Sequence, residues 1–405
     1  MKQRETSELY DPPAKDFAWS FWFTLPIYPF SQRQTIRTEI VESTVWTFDQ
    51  LQGIFYVVVP IRMSVVKLDV GGLLVYAPVA PTPECIRLVN ELVADYGDVK
   101  YIILPTTSGV EHKIFVGPFA RCFRNAQVFV APKQWSFPLN LPLSWLGLPA
   151  NRTQVLPEDI SQTPFANEFD YAILGSIELG LGRFTEVAFF HRKSRTLLVT
   201  DTIVSVTASP PAIVQLDAYP LLFHAKDQAT DVVADTYANR CKGWQRMTLF
   251  ALYFSPSDLE VPGWKVLFSN AFKAKDRSKK AYFGLFPFKW RQNWQRSFEL
   301  LRDRQLFVAP ILQTLILNRA PTETIAWADI VASWNFERII PCHFDSPIAA
   351  QPQQFRQAFA FLEPGATSSY PLPQADFKFL KTLDVSLQKT GIVPPAADKL
   401  SRSQI

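Results

Sequence analysis

The chain has 405 residues, 48% hydrophobic and 19% charged, the composition of an ordinary soluble globular protein. A net charge of +4 is too small to imply a nucleic-acid or membrane partner by itself. With 32 prolines against 15 glycines, rigid turns and bounded elements are expected rather than flexible linkers, and the length suits one large core carrying an insertion.

The start, Met1 to Lys15, mixes acids and bases without an apolar run, so it reads as neither a secretory signal nor a transit peptide. Phe17 to Phe30 (FAWSFWFTLPIYPF) is shorter than the roughly 20 residues a membrane span needs, and Pro26 and Pro29 interrupt it. Residues 1–44 are expected to form an arm packed on the core, with a peripheral membrane anchor as the alternative. Ser64 to Val79 (SVVKLDVGGLLVYAPV) reads as two short strands turning at Gly71-Gly72. A helix should follow. Thr82 can cap it, Pro83 suits its first position, and Ile86, Val89, Leu92, Val93 and Tyr96 share one face before Gly97 stops it. Val99 to Pro105 (VKYIILP) is an apolar strand of the kind covered on both faces, and Ala126 to Pro132 supplies another. Between them a polar loop carries Glu111-His112.

Strand character returns at Thr185. One strand runs to Phe190, a polar turn HRKSR follows, and a second runs from Thr196 to Thr200 and ends at Asp201. Residues 209–320 read as a mainly helical insertion or lid, with Trp294, Phe298 and Leu301 on one face. From Lys265 to Arg304, eleven Lys/Arg meet three acids and are interleaved with Tyr282, Phe283, Trp290 and Trp294. Such a stretch can make an anionic membrane or nucleic-acid surface, but reads first as a solvated helical face with its apolar side packed. Core pattern resumes with a helix marked by Ile325, Ile330, Val331 and Trp334, then the strand ERIIPCH ending at His343. Residues 366–405 read as a polar surface tail. The four cysteines, Cys85, Cys122, Cys241 and Cys342, have no CxxC spacing, which favours reduced thiols and a cytoplasmic location over a disulfide scaffold or zinc ribbon.

His112 follows one apolar strand, Asp201 ends another and His343 ends a third. In layered α/β folds, ligands gather beyond the carboxyl ends of strands, so residues far apart in sequence can converge there. Two imidazoles and a carboxylate suffice for zinc with an open position or for a ferrous triad. Singly, each residue reads better as a hydrogen-bonded capping or core group; together and in this order they read as a metal site. His191, in a charged turn, and His224, in a Pro-rich connection, are expected at the surface. GxSxG, a Walker lysine and HExxH are all absent, and the glycines of GSIELGLG suit loop geometry better than a phosphate cradle.

The order hairpin, helix, apolar strand, acid-His pair, strand ending in Asp, strand ending in His resembles the metallo-β-lactamase superfamily. The resemblance implies an α/β fold, an αββα sandwich, here with its N-terminal arm and helical insertion and with core parts at 45–208 and 321–365. Laid on Thr106 to His112 (TTSGVEH), the superfamily signature T-H-x-H-x-D-H puts its first two histidines on Thr107 and Gly109, its acid on Glu111 and its third histidine on His112. A later histidine falls near Gly182, the bridging Asp on Asp201 and the last histidine on His343. The resemblance therefore implies that one of two metal sites is gone and that Glu111, His112, Asp201 and His343 remain for a single Zn or Fe, or for none if the site is fully degenerate. Glu111, a methylene longer than Asp, has three open roles: coordination, support of a ligand, or general base. A closer resemblance is to an uncharacterised domain-of-unknown-function family of bacteria and oxygenic phototrophs. It rests on MSVVKL…GGLLVYAPV, the P-x6-H-x-x-F form of Pro105 to Phe115, and FFHRKSRTLLVTD, and it covers Val45 to Asp201 and Trp334 to Leu362.

Three functions follow as expectations. The first is a mononuclear metal-dependent hydrolase acting on a small-molecule substrate. The second is a non-catalytic binding or scaffold protein with a protein partner or an anionic surface contact through 265–304. The third is an iron-dependent oxidoreductase on the same ligands.

Overall fold

The computed structural model describes residues 14–107, 111–134, 141–180, 182–363 and 372–397. The first sheet contains seven strands in chain order: β1 (Ile36–Val41), β2 (Val45–Ile54), β3 (Val57–Lys67), β4 (Leu73–Tyr76), β5 (Val99–Leu104), β6 (Gln127–Val130) and β7 (Thr153–Val155). It is antiparallel up to β4 and parallel from β4 onward. The parallel switch requires a crossover, which α1 (Pro83–Tyr96) supplies between β4 and β5 and α2 (Lys113–Cys122) between β5 and β6. As expected, Thr82 caps α1 by accepting from the Cys85 N–H, and Gly97 ends it at φ 95°, a conformation that suits glycine.

The second sheet begins with the meander β8 (Phe169–Glu178), β9 (Arg183–His191) and β10 (Thr196–Val199). The two-residue strands β11 (Leu259–Glu260) and β12 (Lys289–Trp290) pair apart from both large sheets. β13 (Arg338–Pro341) then joins β10 in parallel and β14 (Ile348–Ala349) closes the edge, giving the order β14-β13-β10-β9-β8.

Alternating side chains sort these strands into layers. Leu74 and Tyr76 of β4 meet Val187 and Phe189 of β9, Leu198 of β10 and Ile340 of β13 between the sheets. Their neighbours Leu73 and Val75 face α1 and α2 through Val89, Leu92, Phe115 and Phe119. On the far side, Ala188, Phe190, Leu197, Val199 and Ile339 pack against helices. The result is the αββα sandwich expected from the sequence, since each buried strand is apolar on both faces and needs a cover on each.

The cover of the second sheet comes from α3 (Ala212–Gln215), α4 (Tyr219–Ala225), α5 (Tyr237–Tyr253), α7 (Trp294–Arg302) and α8 (Pro310–Leu315), together with α9 (Pro321–Ala332) and α10 (Pro352–Gln357). α6 (Trp264–Lys273) lies farther out. The segment 209–320 is mainly helical, and its Trp244, Met247, Leu252, Phe298 and Leu301 share one buried cluster with Phe190, Leu197 and Val199. It completes a layer rather than capping one. Two terminal segments mix packing with exposure. The arm is packed through Trp19 and Leu25, yet Phe21, Trp22, Phe23 and Phe30 of the same stretch stay exposed. The polar tail holds α11 (Lys378–Lys389), which docks through buried Leu380 and a 2.5 Å ion pair between Asp384 and buried Arg319. Its polarity read as solvation; part of it is pairing. Among the described residues, no helix is long and apolar enough to cross a membrane.

Removing Asp384 leaves the Arg319 guanidinium buried without its counter-charge. Asp384→Ala should lower unfolding free energy by about 3–5 kcal/mol in urea titrations. An unchanged midpoint would show that α11 lies outside the cooperative unit.

Candidate metal centre

β10 and β13 lie parallel, with Val199 opposite Pro341. Asp201 and His343 each follow two residues later, so the register alone sets them side by side beyond the sheet. β5 ends at Leu104 on the facing sheet, and its loop returns at Glu111 and His112, the residue preceding α2. The His343 Nε2 lies 2.8 Å from Glu111 Oε2 and 3.1 Å from Asp201 Oδ1. One donor atom from each of Glu111, Asp201 and His343 falls within 4.8 Å of the others. His112 stands outside that trio but beside it, its ring centroid 6.3 Å from that of His343.

Both imidazoles are oriented the same way. Nδ1 of His112 is 3.1 Å from the Pro78 carbonyl, and Nδ1 of His343 is 3.0 Å from the Pro60 carbonyl. A carbonyl only accepts, so each Nδ1 carries the hydrogen and each Nε2 is left for another partner. That arrangement is the usual support of a metal-binding histidine. For His343 the partners present are the two carboxylates. For His112 there is none among the described residues: its Nε2 is buried without a hydrogen bond there, as is Asp201 Oδ2.

The charges follow. Burial alone would push the His343 pKa down, but Glu111 and Asp201 outweigh it and hold the ring well above its ordinary value. Burial likewise pushes the Glu111 carboxyl up, and His343 pulls harder, leaving it below its ordinary value. His112, buried and facing the His343 charge, is held low and neutral. The four residues therefore present one imidazolium, one free imidazole and two carboxylates. With His343 deprotonated, Glu111, Asp201 and His343 bring together donor atoms of the kinds a divalent cation takes.

Residues the sequence reading passed over hold this geometry. Arg62 on β3 donates to the Pro341 carbonyl at 2.7 Å and the Phe344 carbonyl at 3.0 Å, gripping the chain on both sides of His343, and pairs with Asp49 at 2.7 Å. Glu186 on β9, fully buried, accepts from the N–H groups of Thr200, Asp201 and Thr202 and from the Thr202 hydroxyl, fixing the turn that carries Asp201. Burial, then the Asp201 charge, pushes its carboxyl up to about 7 against those bonds. The only signal was a charge inside an apolar strand.

Where histidines of the resemblance are missing, the replacements are otherwise engaged. The Thr107 hydroxyl donates to the Arg183 carbonyl and accepts from the Thr185 N–H, both at 2.8 Å, tying the loop to β9. Gly182 sits in the β8–β9 turn, its carbonyl accepting from Leu179, and Gly109 lies outside the described residues. His191 and His224, expected at the surface, are both buried. His191 bonds the Ser194 hydroxyl and packs on Phe169; His224 lies 3.1 Å from the Phe55 carbonyl and packs on Phe288. Burial lowers their pKa values to about 4 and about 3, so both serve as neutral core groups. A polar turn and a Pro-rich connection hid that packing.

The family described as a domain of unknown function (DUF4336) matches residues 42–361. No curated protein matches the chain. Among solved structures it is similar to a metallo-β-lactamase from Pontibacter korlensis, at 11% identity over 80% of this chain and 99% of that one, with TM-score 0.34. It is also similar to the Flv1 flavodiiron core of Synechocystis sp. PCC6803, at 10% identity over 81% of this chain and 60% of that one, with TM-score 0.39. A flavoprotein from Thermotoga maritima gives 8%, 82%, 63% and 0.40 in the same order. The chain thus spans less than two thirds of the last two. Likeness at this level transfers no chemistry, and the layers and the cluster stand on this chain's own geometry.

Two outcomes are expected. Glu186→Gln puts an amide donor against backbone donors and should cost about 1–3 kcal/mol in urea unfolding; a neutral result would mean the Asp201 turn holds itself. In metal-free protein, imidazole NMR should find His343 charged and His112 neutral at neutral pH. The His343 stabilisation is complete below the ordinary imidazole value of 6.5 and lost as pH rises through its raised value. Glu111→Gln should lower the His343 midpoint.

Proposed function

The chain belongs to the family described as a domain of unknown function (DUF4336), and we propose that it is a metal-dependent hydrolase with one ion held by His112, Asp201, His343 and Glu111. The observation that carries this is the His112 Nε2. Among the described residues it is a buried acceptor with no donor, beside two carboxylates and a second imidazole oriented like it. Leaving such an atom unpaired costs about 1–3 kcal/mol, and a cation at the cluster removes that cost. Zn and ferrous iron both suit two imidazoles with carboxylates, and in either case the bound ion supplies Lewis acidity that makes water nucleophilic near neutral pH. The protein's part is to hold four side chains fixed and to release the His343 proton when the ion binds, against the two carboxylates that raise that ring's pKa. Glu111 has the most accessible side chain of the trio, 26% against 13% for Asp201 and 8% for His343, and is the group placed to take a proton from water. The substrate class we assign is a small ester, thioester or phosphoester.

A second reading has its own support. His343 already pairs with Glu111 and Asp201 without an ion, so the trio can serve as a structural ion cluster in a binding protein that has set the chemistry aside. An iron-dependent oxidoreductase would share the ligands and differ in the metal.

Elemental mass spectrometry on protein purified without a metal column decides between them. Near one equivalent of zinc or iron in wild type, lost in both His112→Ala and His343→Ala, is the expected result. With metal retained, Glu111→Gln should lower ester hydrolysis by about 10²–10⁴-fold. No metal bound and none taken up on addition would leave the structural cluster as the answer. Stoichiometric redox-active iron with no hydrolysis would favour the oxidoreductase.

A further inference from the structure

The basic-aromatic stretch divides in two. Its second half is core: Trp294 is buried, and the Arg246 guanidinium stacks over the rings of Trp290 and Trp294 at 5.6 and 4.9 Å. Its first half points outward. On α6, Leu267 and Ala271 face the protein, while Trp264, Phe268 and Phe272, spaced four apart, form one exposed stripe at 74%, 52% and 75% accessibility. Val261, just before α6, is exposed as well, and Trp264 stacks on Phe268 at 6.2 Å.

The stripe continues onto neighbouring elements. Residues 279–284 pack so closely on α6 that a Cβ at Gly284 would lie 2.7 Å from the Ala271 carbonyl oxygen. They carry exposed Phe283, and the Tyr282 ring lies 5.1 Å from that of Phe55 in the β2–β3 turn, where Ile54 and Phe55 are also exposed. Around this apolar ridge stand Lys265, Lys273, Lys275, Arg277, Lys279 and Lys280 against one acid, Asp276, which accepts from the nearby Ser278 N–H. Lys280 sits over the Tyr219 ring; the other five cations have no ion pair among the described residues.

We propose that this face, α6 with residues 279–284 and the β2–β3 turn, is a docking surface for an anionic lipid bilayer. Charge complementarity selects the occupant. A ridge of aromatic and aliphatic side chains rimmed by unpaired lysines matches an interface that is apolar inside and negative at its headgroups. A second copy of the chain would bring like charge against like. Nucleic acid would take the aromatics as stacking platforms but has no use for Val261 and Ile54, and the rim is almost all lysine rather than planar arginine. The inference is independent of the metal reading, because none of these residues belongs to that site.

The test is co-sedimentation of the full chain with vesicles of phosphatidylcholine alone and of phosphatidylcholine mixed equally with phosphatidylglycerol. Binding to the mixed vesicles only, weakened by salt, is expected. Lys273→Ala/Lys275→Ala should lower the partition coefficient about tenfold or more, and Phe268→Ser/Phe272→Ser should weaken binding even at low salt. All these side chains are exposed, so melting temperatures should stay at the wild-type value, and matched melts confirm that a loss is not unfolding. Equal binding to both vesicle types, no binding at low salt, or binding that ignores the Phe pair would overturn the proposal. So would a single-stranded oligonucleotide bound more tightly than vesicles, or dimerisation at the assay concentration that the Phe variant abolishes.

Discussion

The seam between the two sheets is the constraint on which the site depends. His343 leaves the second sheet and bonds back to the Pro60 carbonyl of the first, while Arg62, two residues along β3, reaches the other way to the carbonyls of Pro341 and Phe344. His112 leaves the first sheet and is steered by the Pro78 carbonyl just past β4. These are backbone acceptors, fixed by the ladders they belong to, so the imidazoles inherit the rigidity of strands rather than the freedom of side chains. The Arg62–Asp49 pair lies at the same seam with the Arg62 side chain almost fully buried. A buried pair of this kind is poor evidence for stability but good evidence for register, because a slip of either sheet would leave a charge alone.

Much of this was legible in the sequence because it follows from local rules. The Thr82 cap, the Gly71-Gly72 turn and the apolar runs placed β3 to β5 and α1 within a few residues, except that β3 starts at Val57, earlier than the run from Ser64 suggested. β1 and most of β2 were missed. Their inward positions include Thr47, Gln50 and Gln52, polar groups that are buried only because partners such as Ala80 and Thr35 arrive from elsewhere. The same reason hid Glu186, His191, His224 and α11. A polar residue reads as solvated until its partner is known, and these partners lie on other elements or other turns. That Asp201 and His343 come side by side follows from the opposite kind of signal: strand ends are marked locally, and parallel pairing of β10 with β13 does the rest.

The segment 209–320 joins site and periphery. Trp244 on α5 bonds the Thr207 carbonyl, and its ring lies 6.1 Å from that of Phe344, the residue after His343. Arg246, two residues further along α5, is held by Asp227 and carries Trp290 and Trp294 on its guanidinium. The helices that back the second sheet therefore also brace the loop bearing His343, and through β12 they reach the pair of short strands near α6. A close-packed interior has low compressibility and transmits strain through direct contacts of this kind.

The placement of β13 has a consequence for how the chain is made. Its neighbours in the sheet are β10, which precedes it by the whole helical segment, and β14, which follows it. During synthesis β10 emerges with one edge unpaired and stays so until residues 338–341 leave the ribosome. An open strand edge is a template for foreign pairing, and long-range parallel pairing is slow to form. The nascent protein must keep that edge covered for most of its translation, and Asp201 waits with it until His343 arrives.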